Sequence, residues 1–168
     1  MKNLLTILIA TALTVSAFGQ VDTSKYIITP FKPAYNYPNF PFKNCNPIEL
    51  TTNDIDTIEI LLKQFIADYN VEQEKQIEKF KAEHPESKVI KSDFIIDLTK
   101  YGRQYTPVIN DKSQKEIWIY CFCLSFTIKN WREHLDIPSA KGGGNCFFNL
   151  KVNLTTKKYY DLIVNANK

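Results

Sequence analysis

One change in the spacing of apolar residues divides this chain and limits its fold more than any other feature. Between residues 51 and 84 the apolar side chains recur at helical spacing, and from Lys88 onward they alternate. Thr51-Thr52-Asn53-Asp54 supplies helix N-cap residues with an acid in the first turn. Ile55, Ile58, Leu62, Phe65 and Tyr69 then fall on one stripe, widened by Leu61 and Ile66, and Pro85 closes the segment. Beyond Asn70 the composition turns charged, with Ile77 and Phe80 the only large apolar residues in the stretch from Glu72 to Glu83. A continuous helix over 52–83 measures about 48 Å at 1.5 Å per residue, twice the length of a seven-residue strand. It therefore either breaks near Asn70 or overhangs its sheet.

The alternating half reads as strands. Residues 94–98 are a first candidate, followed by 104–109 and 116–123, the last two joined by the turn Asn110-Asp111-Lys112-Ser113-Gln114 as a hairpin. In 116–123, Ile117, Ile119, Cys121 and Cys123 share one face and Trp118, Tyr120 and Phe122 the other, so both faces need covering and the strand is central. Cys146, Phe148, Leu150, Val152 and Leu154 alternate with Asn149, Lys151 and Asn153, giving one buried and one wet face. Thr155 to Lys158 turns the chain, and Tyr160, Leu162 and Val164 return it. The fold class expected is α+β: one long N-terminal helix packed on a curved antiparallel sheet of about four strands.

Residues 1–19 look like an address rather than structure. Lys2 precedes a short apolar run, and Ala17-Phe18-Gly19 fits the small-x-small rule for signal-peptide cleavage before Gln20. The run is shorter than a membrane span requires, so no span is expected after cleavage, and the protein is expected in the periplasm or outside the cell. Residues 20–50 form an extended arm. Five of the eight prolines lie there, Pro30, Pro33, Pro38, Pro41 and Pro47, among Tyr26, Phe31, Tyr35, Tyr37, Phe40 and Phe42. Proline at this density excludes helix and central strand. The arm either wraps on its own domain or docks on a partner. Residues 51–168 make up the single α+β domain.

The composition removes several function classes. With 44% hydrophobic and 23% charged residues the chain is neither disordered nor polytopic. A net charge of +3 gives no nucleic-acid footprint. All four cysteines, Cys45, Cys121, Cys123 and Cys146, follow the leader, and an oxidising compartment favours disulfides. If the two strands are antiparallel neighbours, Cys146 meets Cys121 or Cys123, and the remaining member reaches Cys45. A zinc site on the Cys121-x-Cys123 pair has narrower spacing than zinc motifs use.

No catalytic constellation stands out. Lys141-Gly142-Gly143-Gly144 is followed by a strand rather than by the helix of a phosphate loop, so it reads as a strand entry. His84 sits at a helix end and His134 in a polar turn, neither with an evident free thiolate as partner. No carboxylate pair, metal set or cofactor motif is evident. The better lead is aromatic: Trp118, Tyr120 and Phe122, with Tyr105 in the paired strand, form a candidate interface unless the arm covers them.

Three stretches carry a resemblance. Arg103-Gln104-Tyr105-Thr106-Pro107-Val108-Ile109-Asn110, Trp118-Ile119-Tyr120-Cys121-Phe122-Cys123 and the run from Gly143 through Leu154 to Tyr159-Tyr160-Asp161-Leu162 resemble a group of small exported proteins of Bacteroidetes. That group has no assigned activity, so the resemblance implies no catalytic or binding residue. As a fold analogy, a helix followed by an antiparallel meander is similar to cystatin or NTF2-type domains, and fold analogy does not give function. The reading favoured by the sequence is a non-enzymatic binding module with an envelope or secreted protein as partner. The alternatives are an NTF2-like cleft that holds a small ligand or hydrolyses one, and an immunity or inhibitor protein.

Overall fold

The computed structural model describes residues 22–32, 42–125, 131–133 and 142–165. The signal peptide expected at 1–19, part of the arm and His134 lie outside the described residues. The described elements run β1 (Tyr26–Ile28), β2 (Asn46–Pro47), α1 (Thr52–Glu83), β3 (Tyr101–Ile109), β4 (Lys115–Cys123), β5 (Phe147–Asn153) and β6 (Lys158–Val164). The class is α+β, as the two apolar periods require. The sheet has six strands rather than about four and is mixed rather than antiparallel, in the order β1-β3-β4-β5-β6, with β2 also on β3. The two additional strands come from the arm. β1 runs parallel to β3, pairing Tyr26 with Arg103, and β2 runs antiparallel to it, pairing Asn46 with Ile109.

α1 begins where its cap residues demand. Thr51 Oγ1 accepts from the Asp54 amide at 3.2 Å and the Asp54 carboxylate accepts from the Thr51 amide at 3.0 Å, a reciprocal capping box. The helix does not break at Asn70. Instead Asn70 clamps the segment that follows it: Nδ2 donates to the Ile96 carbonyl and Oδ1 accepts from the Ile96 amide, both at 2.8 Å. Beyond this clamp Ile77 is the one buried helix residue, so the second half of α1 overhangs the sheet.

The segment 94–98 is not a strand. Ile96 is buried, but its backbone groups are taken by Asn70 and the Ile95 carbonyl by Asn145 Nδ2 at 2.9 Å, between 3-10 turns at Lys91–Asp93 and Leu98–Lys100. Side chains of α1 and the Asn145 loop replace the ladder partner a strand would need.

The sheet separates two cores. On the helix side Ile58, Leu62, Phe65 and Ile66 meet Ile117, Ile119, Cys121, Phe148, Leu150 and Val152. On the far side Phe31 and Phe42 of the arm join Val108, Trp118, Tyr120, Phe122 and Phe147. The fold therefore has three layers: helix, sheet and arm. Gly102 serves the far side, because a Cβ there would lie 2.5 Å from the Phe122 ring.

Candidate functional site

The hairpin register determines which predicted site residues share a face. Tyr105 pairs with Ile119, so it points to the helix and not to the row of Trp118, Tyr120 and Phe122. It stacks on Tyr26 at 5.2 Å between ring centroids and donates its hydroxyl hydrogen to Glu59. The aromatic row forms a ladder, with centroids 5.8 Å apart from Trp118 to Tyr120 and 6.1 Å from Tyr120 to Phe122. It is not an exposed interface. Trp118 is 4%, Tyr120 5% and Phe122 1% accessible, beneath a layer that includes Phe31, Phe42 and Trp131. Phe31 and Phe42 of the arm supply apolar area that the row needs.

The cysteines divide by face as well. Cys123 and Cys146 form a disulfide with Cα atoms 4.9 Å apart, linking the end of β4 to the turn that enters β5. Gly142, Gly143 and Gly144 all adopt positive φ in that turn, which makes the stretch a strand entry. Cys121 and Cys45 remain free. The second bridge expected from the sequence does not form, because Cys121 faces the helix-side core while Cys45 packs against the far-side cluster. Burial pushes both thiols up, and their neighbouring carboxylates, Glu59 at Cys121 and Glu116 at Cys45, add to it. Neither is a thiolate nucleophile at neutral pH.

A hollow lies at the end of the far face, beside Phe42, Lys43 and Cys45 of the arm. It measures about 470 Å³ and is walled by Phe42, Lys43 and Cys45 of the arm and floored by Glu116, Lys151, Asn153 and Tyr160. Two adjacent cross-strand rows make this floor: Val108, Glu116, Asn153 and Lys158, then Thr106, Trp118, Lys151 and Tyr160. The alternation that reads as a wet face on β5 is thus the floor of a cleft, and Asn153 is buried.

Its polar groups hold one another in place. Glu116 accepts from the Tyr160 hydroxyl and from Asn153 Nδ2 at 3.3 Å, and Asn153 Nδ2 also donates to Gln114 Oε1 at 2.9 Å. Burial, then the hydrogen bond to Glu116, raises the Tyr160 phenol well above its usual range, so it stays a donor. Lys151 donates to Asp161 at 2.9 Å and lies 5.6 Å from the Phe42 ring centre and 5.7 Å from that of Tyr160. Asp161 reaches Lys151 from a left-handed backbone, φ 53°, beside a register shift between β5 and β6. A non-glycine residue in that region costs free energy and re-aims its side chain. The cleft offers donors, acceptors, a fixed ammonium and ring faces, and among its described residues no activated nucleophile.

A second polar cluster lies between helix and sheet, where Glu59 and Arg103 also line a smaller hollow with Asp22, Lys25 and Lys63. Glu59 of α1 accepts from Tyr105 and pairs with Arg103 Nη1 at 3.3 Å, and all three side chains are buried. Neither the apolar stripe nor any motif singles out Glu59. The available signal is an acid between Ile58 and Leu62 on an apolar face, which demands a buried partner. Among the described residues no group of three or more His, Cys, Asp or Glu side chains is placed to hold a metal ion, and no helix is long and apolar enough to cross a membrane.

Comparison of the chain with protein-family models, with curated proteins and with solved structures finds no match.

Proposed function

We propose that the protein is an exported, non-enzymatic binding domain that holds a small polar ligand in the cleft between arm and sheet. The observation that carries this reading is the cross-braced floor of Glu116, Tyr160, Asn153 and Lys151. Its groups are held in fixed directions by one another while the hollow above them stays open, the pre-organisation that small-ligand sites use. Lys43, Lys112, Lys151 and Lys158 against Asp111 and Glu116 favour a ligand with an anionic group, and the rings of Phe42 and Tyr160 give it a face to lie on. Recognition of a partner protein through Trp118, Tyr120 and Phe122 would require the arm to leave that face, and no residue described speaks for an immunity or inhibitor role.

The test is thermal unfolding of the purified chain, starting at Gln20, against a panel of sugar acids, amino acids, small carboxylates and phosphate esters. A ligand at a hundred times its dissociation constant stabilises by about 2.7 kcal/mol, which moves the midpoint by roughly 5–10 °C for a chain of this size. Lys151→Met and Glu116→Gln are expected to abolish that shift. A flat response across the panel, or a shift that survives both substitutions, overturns the reading.

A further inference from the structure

Arg103 is under-used by the contacts that bury it. A guanidinium is a rigid fork of N–H donors, and this one belongs to a residue only 5% accessible. Among the described residues its side chain has one ion pair, Nη1 to Glu59 Oε2 at 3.3 Å, and its Nε has no hydrogen-bond partner. A two-toothed arginine–carboxylate pair sits closer, at about 2.7–2.9 Å. A donor buried without an acceptor costs free energy that a bound acceptor returns.

There is room for one. Alternation along β3 puts Arg103 on the same face as Tyr105, toward α1. On that side it lines a hollow of about 220 Å³ with Glu59 and Lys63 of α1, Asp22 and Lys25 from the start of the arm, and Thr99 from the turn before β3. The cleft is a different place, on the opposite face and beside the hairpin turn Asn110–Gln114.

The acceptors of the hollow are committed and its donors are not. Glu59 accepts from Tyr105 through Oε1 and faces Arg103 through Oε2, and Asp22 Oδ1 accepts from the Ser24 amide at 3.0 Å and hydroxyl at 2.6 Å. Lys25 Nζ donates to the Thr99 carbonyl at 3.1 Å, one of the several bonds an ammonium can make. Lys63, one turn beyond Glu59, has no ion-pair partner among the described residues. With Glu59 matched by Arg103, Lys25 and Lys63 against Asp22 leave the hollow one charge positive. The Asp22 carboxyl is held below its ordinary value, first by the Ser24 hydrogen bonds and then by Lys25 and Arg103, so that positive field reaches across the hollow.

We infer that this hollow is a second binding site, for a small oxyanion, carboxylate or phosphate, gripped by the Arg103 guanidinium and by Lys25 and Lys63. The planar fork of arginine fits two oxygens of such an anion, which a lysine cannot do. Because the three cations come from the arm, α1 and β3, a bound anion ties the first turn of the arm to helix and sheet.

Proton–nitrogen NMR of the purified chain, starting at Gln20, tests this by titration with sodium phosphate and, separately, with sodium succinate, at an ionic strength fixed with sodium chloride. The amides of Lys25, Lys63, Thr99 and Arg103 are expected to shift saturably, with a dissociation constant of about 1 mM or tighter. The same shifts are expected in the Lys151→Met, Glu116→Gln variant, which disables the cleft and so separates the two sites. Lys63 is exposed, so Lys63→Met keeps the fold, and it is expected to weaken binding by about tenfold. Arg103→Lys is expected to do the same, and Lys75→Met, on an exposed part of α1 outside the hollow, to change nothing. Saturation by phosphate alone assigns a phosphoryl ligand and saturation by succinate alone a carboxylate, and either supports the site. Shifts that stay linear with both anions, that vanish in the cleft variant, or that persist unchanged in Lys63→Met overturn the inference.

Discussion

Tyr105 on β3 donates its hydroxyl hydrogen to Glu59 on α1, and the same carboxylate pairs with Arg103 two residues away on the strand. This is the polar rivet between helix and sheet. Removing one partner of a buried pair leaves a charge without compensation, which costs about 3–5 kcal/mol. Glu59→Leu should therefore lower stability by that amount, and Tyr105→Phe by about 1–3 kcal/mol. Glu59→Leu combined with Arg103→Met should cost less than Glu59→Leu alone. Urea denaturation of the three variants gives the order, and equal losses would contradict it.

The cysteine arrangement makes a chemical prediction. Mass spectrometry without reductant should find one bridge, Cys123 to Cys146, and two thiols. In the folded protein Cys45 should alkylate and the fully buried Cys121 should not. Replacing both bridged cysteines with serine should cost about 3 kcal/mol, the value for a loop of this size.

Asp54 supplies a pH dependence. Burial raises its carboxyl, but the Thr51 amide and the Lys115 ammonium, 3.0 Å away, outweigh burial and hold it below its ordinary value. A carboxyl lower in the folded than in the unfolded state stabilises above the unfolded value, about pH 4, and loses that contribution as pH falls through the folded value. Asp54→Asn should cost about 1 kcal/mol at neutral pH, as lost helix caps do. The difference from wild type should close in acid titrations of the unfolding midpoint below pH 4.

The arm should report its own removal. Phe31→Ala with Phe42→Ala takes two rings from the far-side cluster. Tryptophan emission should move to the red and become more quenchable by acrylamide as Trp118 meets water. The loss in stability should be about 3 kcal/mol or more. Unchanged emission would mean that the arm does not seal this face.

Much of the fold is legible from local chemistry. The cap at Thr51, the stop at Pro85, the turn Asn110–Gln114 and the alternation along β5 each encode their structure within a few residues. What is not legible depends on partners far along the chain. Tyr26–Ile28 and Asn46–Pro47 are too short for any period to declare a strand, and only the open edge of β3 makes them strands. The face on which Tyr105 sits follows from the register across the hairpin, and a slip of one residue reverses it. Ile96 gives the apolar signal of a strand, yet Asn70 and Asn145 take up the backbone groups around it. The cleft is the least visible part: Lys151 and Asn153 read as solvent-facing until Phe42 and Cys45 rise beside them as a wall.

The pairing of Tyr26–Ile28 with Arg103–Tyr105 also sets a timetable. A ribosome delivers β1 early and its partner strand much later, so the oldest residues of the nascent chain wait for younger ones before they have a place. Contacts of such long sequence separation form slowly. A chain halted before β3 carries all the aromatic side chains of its arm into solvent with nothing to cover, which makes that interval the one in which the newborn protein most needs a chaperone.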